Sequence, residues 1–71
     1  MVVKVVQDEV PVMTVPWRCG GIIRHEPQGS RIEVNEDESF YSDRIYWLGL
    51  AREAGWLPVA DDEMTYCEIA D

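Results

Sequence analysis

The chain is poor in histidine and cysteine, two residue types that commonly act as catalytic bases and nucleophiles. Its 71 residues include one histidine and two cysteines. The sequence contains no glycine-rich phosphate loop, nucleophile motif or helix-borne metal motif. Cys19 and His25 form the one conceivable thiol–imidazole pair, six residues apart. We therefore expect no enzymatic activity, no catalytic residues and no cofactor.

Positive charge is also scarce. Six Lys and Arg residues stand against 14 Asp and Glu residues, for a formal net charge of -8. Binding to a phosphate backbone requires clustered basic side chains, so we expect no direct contact with nucleic acid. Anionic membrane surfaces are disfavoured for the same reason.

Long hydrophobic runs are missing. No segment approaches the roughly 20 apolar residues of a membrane-spanning helix. The first eight residues, MVVKVVQD, lack the uninterrupted apolar stretch of a signal peptide. We expect a cytoplasmic protein with reduced thiols, forming a single acidic domain over residues 1–71.

The negative charge is concentrated in the second half of the chain. Residues 1–32 hold four basic and three acidic residues, whereas residues 33–71 hold two basic and eleven acidic residues. The predicted partner-binding residues lie there: Glu36, Asp37, Glu38, Asp43, Asp61, Asp62 and Glu63. These clusters lack the spacing and central glycine of a calcium loop, so we predict no metal site. The alternative is that they only keep the protein in solution.

Most of the chain outside residues 35–54 is predicted to form strands and turns. Valine-rich residues 2–6 and 10–15 favour strand. The Gly20-Gly21 pair predicts a tight hairpin, and residues 27–30 predict a second turn. Residues 31–34 alternate polar and apolar, as a half-buried strand does. Residues 56–59 and 64–69 are predicted as strands, with Pro58 favouring a sheet edge.

A helix is predicted over residues 40–54, after an acidic loop at residues 35–39. Apolar residues recur there at spacings of three and four. Ser39 or Ser42 could cap its start, Asp43 suits its positive end, and Gly55 could terminate it. The predicted fold is therefore α+β: a small antiparallel sheet with one helix packed on a face.

The segment from Arg18 to the end resembles the short zinc-ribbon-like proteins encoded by phages. The hexapeptide Ala51-Arg52-Glu53-Ala54-Gly55-Trp56 matches the helix end of that family. Cys19 and Cys67 stand where its two Cys-x-x-Cys knuckles would be, which implies that they lie close together. The second knuckle positions hold Ile22 and Ala70, so a full tetrahedral zinc site is not expected.

The resemblance implies a phage origin and action by binding. Small acidic phage proteins, such as anti-CRISPR inhibitors, block nucleic-acid-binding machinery of the host. Surface carboxylates can replace phosphates on a basic groove. We therefore expect the partner to be a basic nucleic-acid-binding host protein or complex. The alternative is a zinc-ribbon-derived structural or regulatory protein that binds metal or nucleic acid.

Overall fold

The computed structural model describes residues 1–70, which form seven strands and no helix. The strands are β1 (Val2–Val5), β2 (Glu9–Met13), β3 (Ile22–Pro27), β4 (Arg31–Ser42), β5 (Ile45–Leu50), β6 (Trp56–Asp61) and β7 (Cys67–Ile69). They pair antiparallel in the order β3-β2-β6-β5-β4-β1-β7. The edge strand β7 also approaches β6 in the interior of the sheet order. Tyr66 N, just before β7, donates to Val59 O of β6 at 2.7 Å. No helix in residues 1–70 is long and apolar enough to span a membrane.

The predicted helix over residues 40–54 is wrong, and with it the α+β class. Residues 40–42 complete β4, residues 45–50 form β5, and residues 51–55 connect β5 to β6. Strands β4 and β5 pair directly, with Phe40 opposite Trp47 and Tyr41 opposite Tyr46. The hexapeptide at residues 51–56, which matches the helix end of the ribbon family, therefore lies in the β5–β6 connection and the start of β6, and not in a helix.

Strand β5 explains why the pattern looked helical. Ile45 and Trp47 pack on one side of the sheet, whereas Leu48 and Leu50 pack in the larger core on the other side. A strand covered on both faces carries a nearly continuous apolar run, and such a run also contains helical spacings. The abundance of Phe, Tyr, Ile and Trp, which prefer strands, then favours the sheet.

A two-residue turn joins β4 to β5. Ser42 pairs with Ile45, and the residues between them, Asp43 and Arg44, have φ values of 56° and 65°. Two successive positive φ values are typical of the tight hairpin turn that matches the twist of the strands. Asp43 thus occupies a hairpin turn and does not begin a helix, and neither Ser39 nor Ser42 is a helix cap.

The predicted acidic loop at residues 35–39 is also wrong. These residues continue β4, and the pairing with β5 shifts register between Asn35 and Ser39. Asn35 lies opposite Gly49 and Ser39 lies opposite Leu48, so Glu36, Asp37 and Glu38 form a β-bulge. A bulge inserts unpaired residues into a strand and changes the direction of their side chains.

Several predictions from the first half are confirmed. The two valine-rich segments form β1 and β2, and the turn before β4 contains Gly29 with a φ of 91°. The predicted tight hairpin at Gly20-Gly21 is wrong: β2 and β3 pair antiparallel, but residues 14–21 connect them in a longer loop. Pro58 is not at a sheet edge, because β6 lies between β2 and β5. It lies at a register shift, the other position where a strand tolerates proline.

Two groups of apolar residues hold the sheet together. The larger core contains Val3, Val5, Val10, Val12, Ile32, Val34, Leu48, Leu50, Leu57 and Cys67. A smaller cluster on the opposite side contains Met13, Ile45 and Trp47, with Trp56 packed against it. Trp47 is 2% exposed, and its indole Nε1 donates to Ser42 O at 3.1 Å. Both faces of β5 are therefore buried, which fixes the hairpin that carries the acidic bulge.

Candidate partner-binding surface

The predicted partner-binding residues fall into two separate groups on the folded chain. The first, the bulge group, consists of Glu36, Asp37 and Glu38 in β4. The second, the end group, consists of Asp43 in the β4–β5 turn, Asp61 at the end of β6, and Asp62 and Glu63 directly after it. The two groups line different surface depressions: Glu36 and Asp37 line one, and Asp61, Asp62 and Glu63 line the other.

The bulge group divides between the two sides of the hairpin. Glu36 and Asp37 border a cleft whose wall includes Tyr46 and Leu48. Glu38 instead lies over Gly49, where an added Cβ would stand 2.6 Å from its Oε2 atom. The backbone is held by Asn35, whose Oδ1 accepts from Asp37 N at 3.0 Å. The bulge thus directs neighbouring carboxylates to different surroundings.

The carboxylates of the bulge group have no ion-pair partner within residues 1–70. Arg24 and Arg52 form their ion pairs with other glutamates. Arg24 pairs with Glu26 at 2.7 Å and with Glu53 at 2.5 Å, and Arg52 pairs with Glu33 at 3.1 Å. All three bulge residues are exposed, so their negative charge faces solvent.

The end group, by contrast, lies among cations. Arg18 and Arg44 border the same shallow surface as Asp61, Asp62 and Glu63. The backbone N of Arg18 also donates to Asp43 Oδ2 at 2.9 Å, which ties the β2–β3 connection to the hairpin turn. Part of the negative charge of the end group is therefore offset locally, and its carboxylates help to hold loops.

Asp61 has a structural role within the end group. Its Oδ1 accepts from Glu63 N at 2.8 Å and from Met64 N at 2.7 Å, and its Oδ2 accepts from the Tyr66 hydroxyl. The Tyr66 hydrogen bond is the main cause that lowers the pKa of Asp61, and the backbone donors lower it further. The same hydrogen bond raises the pKa of Tyr66. Asp61 thus stabilises the β6–β7 turn.

Sequence reasoning missed the aromatic and apolar surface beside the bulge. Tyr41 and Tyr46 lie opposite each other on the hairpin and are both exposed. Tyr46 borders the cleft that Glu36 and Asp37 also line. The sequence signal for this surface is the placement of Tyr41 and Tyr46 at equal distances from the two-residue turn. It could be interpreted only after the turn itself was recognised.

The cysteines and the histidine do not assemble into a metal centre in the described chain. No group of three or more His, Cys, Asp or Glu side chains in residues 1–70 is arranged to hold an ion. Cys19 is exposed and Cys67 is buried, and both are free thiols. The imidazole Nδ1 of His25 lies 3.6 Å from Glu9 Oε1 on the neighbouring strand.

Comparisons with known proteins leave the surface as the main guide to function. No protein-family model, no curated protein and no solved structure matches this chain. The functional argument therefore rests on the chemistry of the acidic bulge and of the cleft beside it.

Proposed function

We propose that the chain is a small acidic binding protein that occupies the basic groove of a nucleic-acid-binding protein. One observation carries the proposal: the exposed carboxylates of Glu36, Asp37 and Glu38 have no ion-pair partner within the described residues. Unneutralised carboxylates on a surface attract a basic partner and accelerate its association.

The proposed mechanism is mimicry of a nucleic-acid backbone by carboxylates. The bulge presents three negative charges on consecutive residues, and pairing with β5, whose Trp47 and Leu48 are buried, holds their backbone in place. Because the sheet holds the backbone that carries these carboxylates, binding need not order that part of the chain. We propose inhibition of a host complex in the cytoplasm as the outcome, and CRISPR effector complexes are the leading target class.

The test compares charge reversals in the bulge with matched reversals elsewhere. The bulge variant is Glu36→Lys/Asp37→Lys, and the control variant is Asp62→Lys/Glu63→Lys, which reverses the same number of charges and spares the structural Asp61. Each protein is immobilised and exposed to nuclease-treated lysate of the host cell. Proteins that the parent retains are then purified, and their association rates are measured at low and high salt.

The proposal predicts that a basic protein is retained and that nucleic acid competes for it. The bulge variant should associate with it at least about tenfold more slowly at low salt, and the difference should shrink as salt rises. The control variant should show a smaller loss. Equal association of the bulge variant and the parent at low salt contradicts the proposal, as does a retained partner that nucleic acid does not displace.

A further inference from the structure

A cleft of about 470 Å³ opens beside the acidic bulge. Its apolar wall comes from four strands and includes Val3, Leu48, Val59, Cys67 and Ile69. Val3, Leu48 and Cys67 belong to the buried core and form the floor of the cleft. The volume lies within the usual range for sites that bind small groups, roughly 300–1,000 Å³.

The rim of this cleft differs from its floor. Glu36 and Asp37 lie at the rim, and Tyr46, which is 42% exposed, adds an aromatic ring. The cleft therefore combines an apolar floor, an aromatic ring and two carboxylates that form no ion pair within residues 1–70. The complementary ligand is an apolar stem that ends in a cation.

We propose that this cleft binds an arginine side chain of the partner. The methylene stem of arginine packs along apolar surface while its charged head remains at the polar rim. The planar guanidinium can stack on Tyr46 and donate paired hydrogen bonds to a carboxylate. This inference rests on the proposed function and deepens it, because it assigns the contact that selects the partner.

The bulge also supplies a matched control for this site. Glu38 carries the same charge as Glu36 and is two residues away, but it lies over Gly49 and is not among the residues that line the cleft. Neutralising Glu38 changes the net charge of the protein as much as neutralising Glu36 does. A difference between the two variants therefore reports the cleft rather than the overall field of the protein.

The experiment uses short synthetic peptides with one central residue flanked by glycine and serine. The central residue is arginine, lysine or citrulline, the neutral analogue of arginine. Binding is followed by NMR through the methyl groups of Val59, Leu48 and Ile69. We expect the arginine peptide to shift these signals, the lysine peptide to bind more weakly, and the citrulline peptide to cause no saturable shift.

Three protein variants locate the binding site. Ile69→Trp fills the cleft and leaves every carboxylate in place, and it should preserve the fold because Ile69 is 70% exposed. Ile69→Trp and Glu36→Gln should each weaken arginine-peptide binding by about tenfold or more. Glu38→Gln should change it by less than about twofold. Should Ile69→Trp lower the thermal midpoint, Tyr46→Ala provides the same test without filling the cleft.

The outcomes separate this inference from the proposed function. Saturable binding of the citrulline peptide, or unchanged arginine binding by Ile69→Trp, overturns the arginine site. If binding of the basic partner requires the bulge carboxylates but is unchanged by Ile69→Trp, the proposed function stands and only the role of the cleft is overturned. If the arginine peptide binds but the bulge reversal has no effect on association with the basic partner, the arginine site stands and the proposed function is overturned.

Discussion

The side chain of Glu38 lies over Gly49, so the bulge of β4 and the glycine of β5 fit together. A Cβ at position 49 would stand 2.6 Å from Glu38 Oε2 and 3.0 Å from Glu38 Cβ. The carboxylate can swing away, but the Cβ of Glu38 moves only with the strand. Gly49→Ala should therefore lower the free energy of unfolding by about 1–3 kcal/mol, as overpacking does.

Urea unfolding of the single and double variants checks this prediction. Glu38→Gly in the Gly49→Ala background should recover part of the loss, because it removes the atoms that the new methyl group meets. A Gly49→Ala protein as stable as the parent would mean that the bulge is not held against β5.

Leu48 should be a major contributor to stability, although it lies in a strand and not in the predicted helix. It is 3% exposed and packs in the larger core. Leu48→Ala should cost about 2–5 kcal/mol of unfolding free energy, as deletion of a buried leucine does. Ile69→Ala is the matched control, since that side chain is 70% exposed and should cost well under about 1 kcal/mol. Equal losses for the two variants would contradict the assigned register of β5.

The hairpin turn should be improved by glycine at position 44. Arg44 has a φ of 65°, a conformation that costs a side chain with a Cβ roughly 1–2 kcal/mol and costs glycine little. Arg44→Gly should raise the free energy of unfolding by about 1 kcal/mol or less, because glycine is also more flexible in the unfolded chain. Arg44→Ala removes the same charge and keeps the strain, so it should bring no such gain. Thermal unfolding of both variants measures the difference.

The Asp61–Tyr66 hydrogen bond should make stability depend on pH at both extremes. The pKa of Asp61 is lowered from 3.8, so its contribution is present above that pH and is lost as pH falls below it. The pKa of Tyr66 is raised from 10.0, so its contribution is present below that pH and is lost as pH rises above it. Tyr66→Phe should flatten the profile of unfolding free energy against pH at both ends. An unchanged profile would show that this hydrogen bond does not form in solution.

The two thiols should differ sharply in reactivity. Burial raises the pKa of Cys67 to about 12, and its Sγ lies 3.6 Å from Pro58 O. Cys19 is exposed in the β2–β3 connection. Because the thiolate is the reactive form, a disulfide reagent should modify Cys19 rapidly in the native protein and Cys67 only after denaturation. Two rapidly reacting thiols in native buffer would show that β7 opens readily.

The sequence predicted those elements whose signals are local. Valine-rich segments identified β1 and β2, and the turn containing Gly29 preceded β4 as expected. The helix over residues 40–54 was wrong because β5 is buried on both faces, which removes the alternation that marks a strand. The turn at Asp43 and Arg44 lacks the Asn-Gly signal of a tight hairpin, so nothing local interrupted the apparent helix.

The amino-acid sequence by itself determined the charge, its concentration in residues 33–71 and the identity of the acidic clusters. Only the tertiary structure decided which carboxylates share a surface. The bulge interrupts the pairing of β4 with β5, Glu36 and Asp37 border an apolar cleft, and Glu38 lies over Gly49. The physical reason is that charge is a property of composition, whereas the direction of a side chain in a bulge depends on pairing with a distant strand.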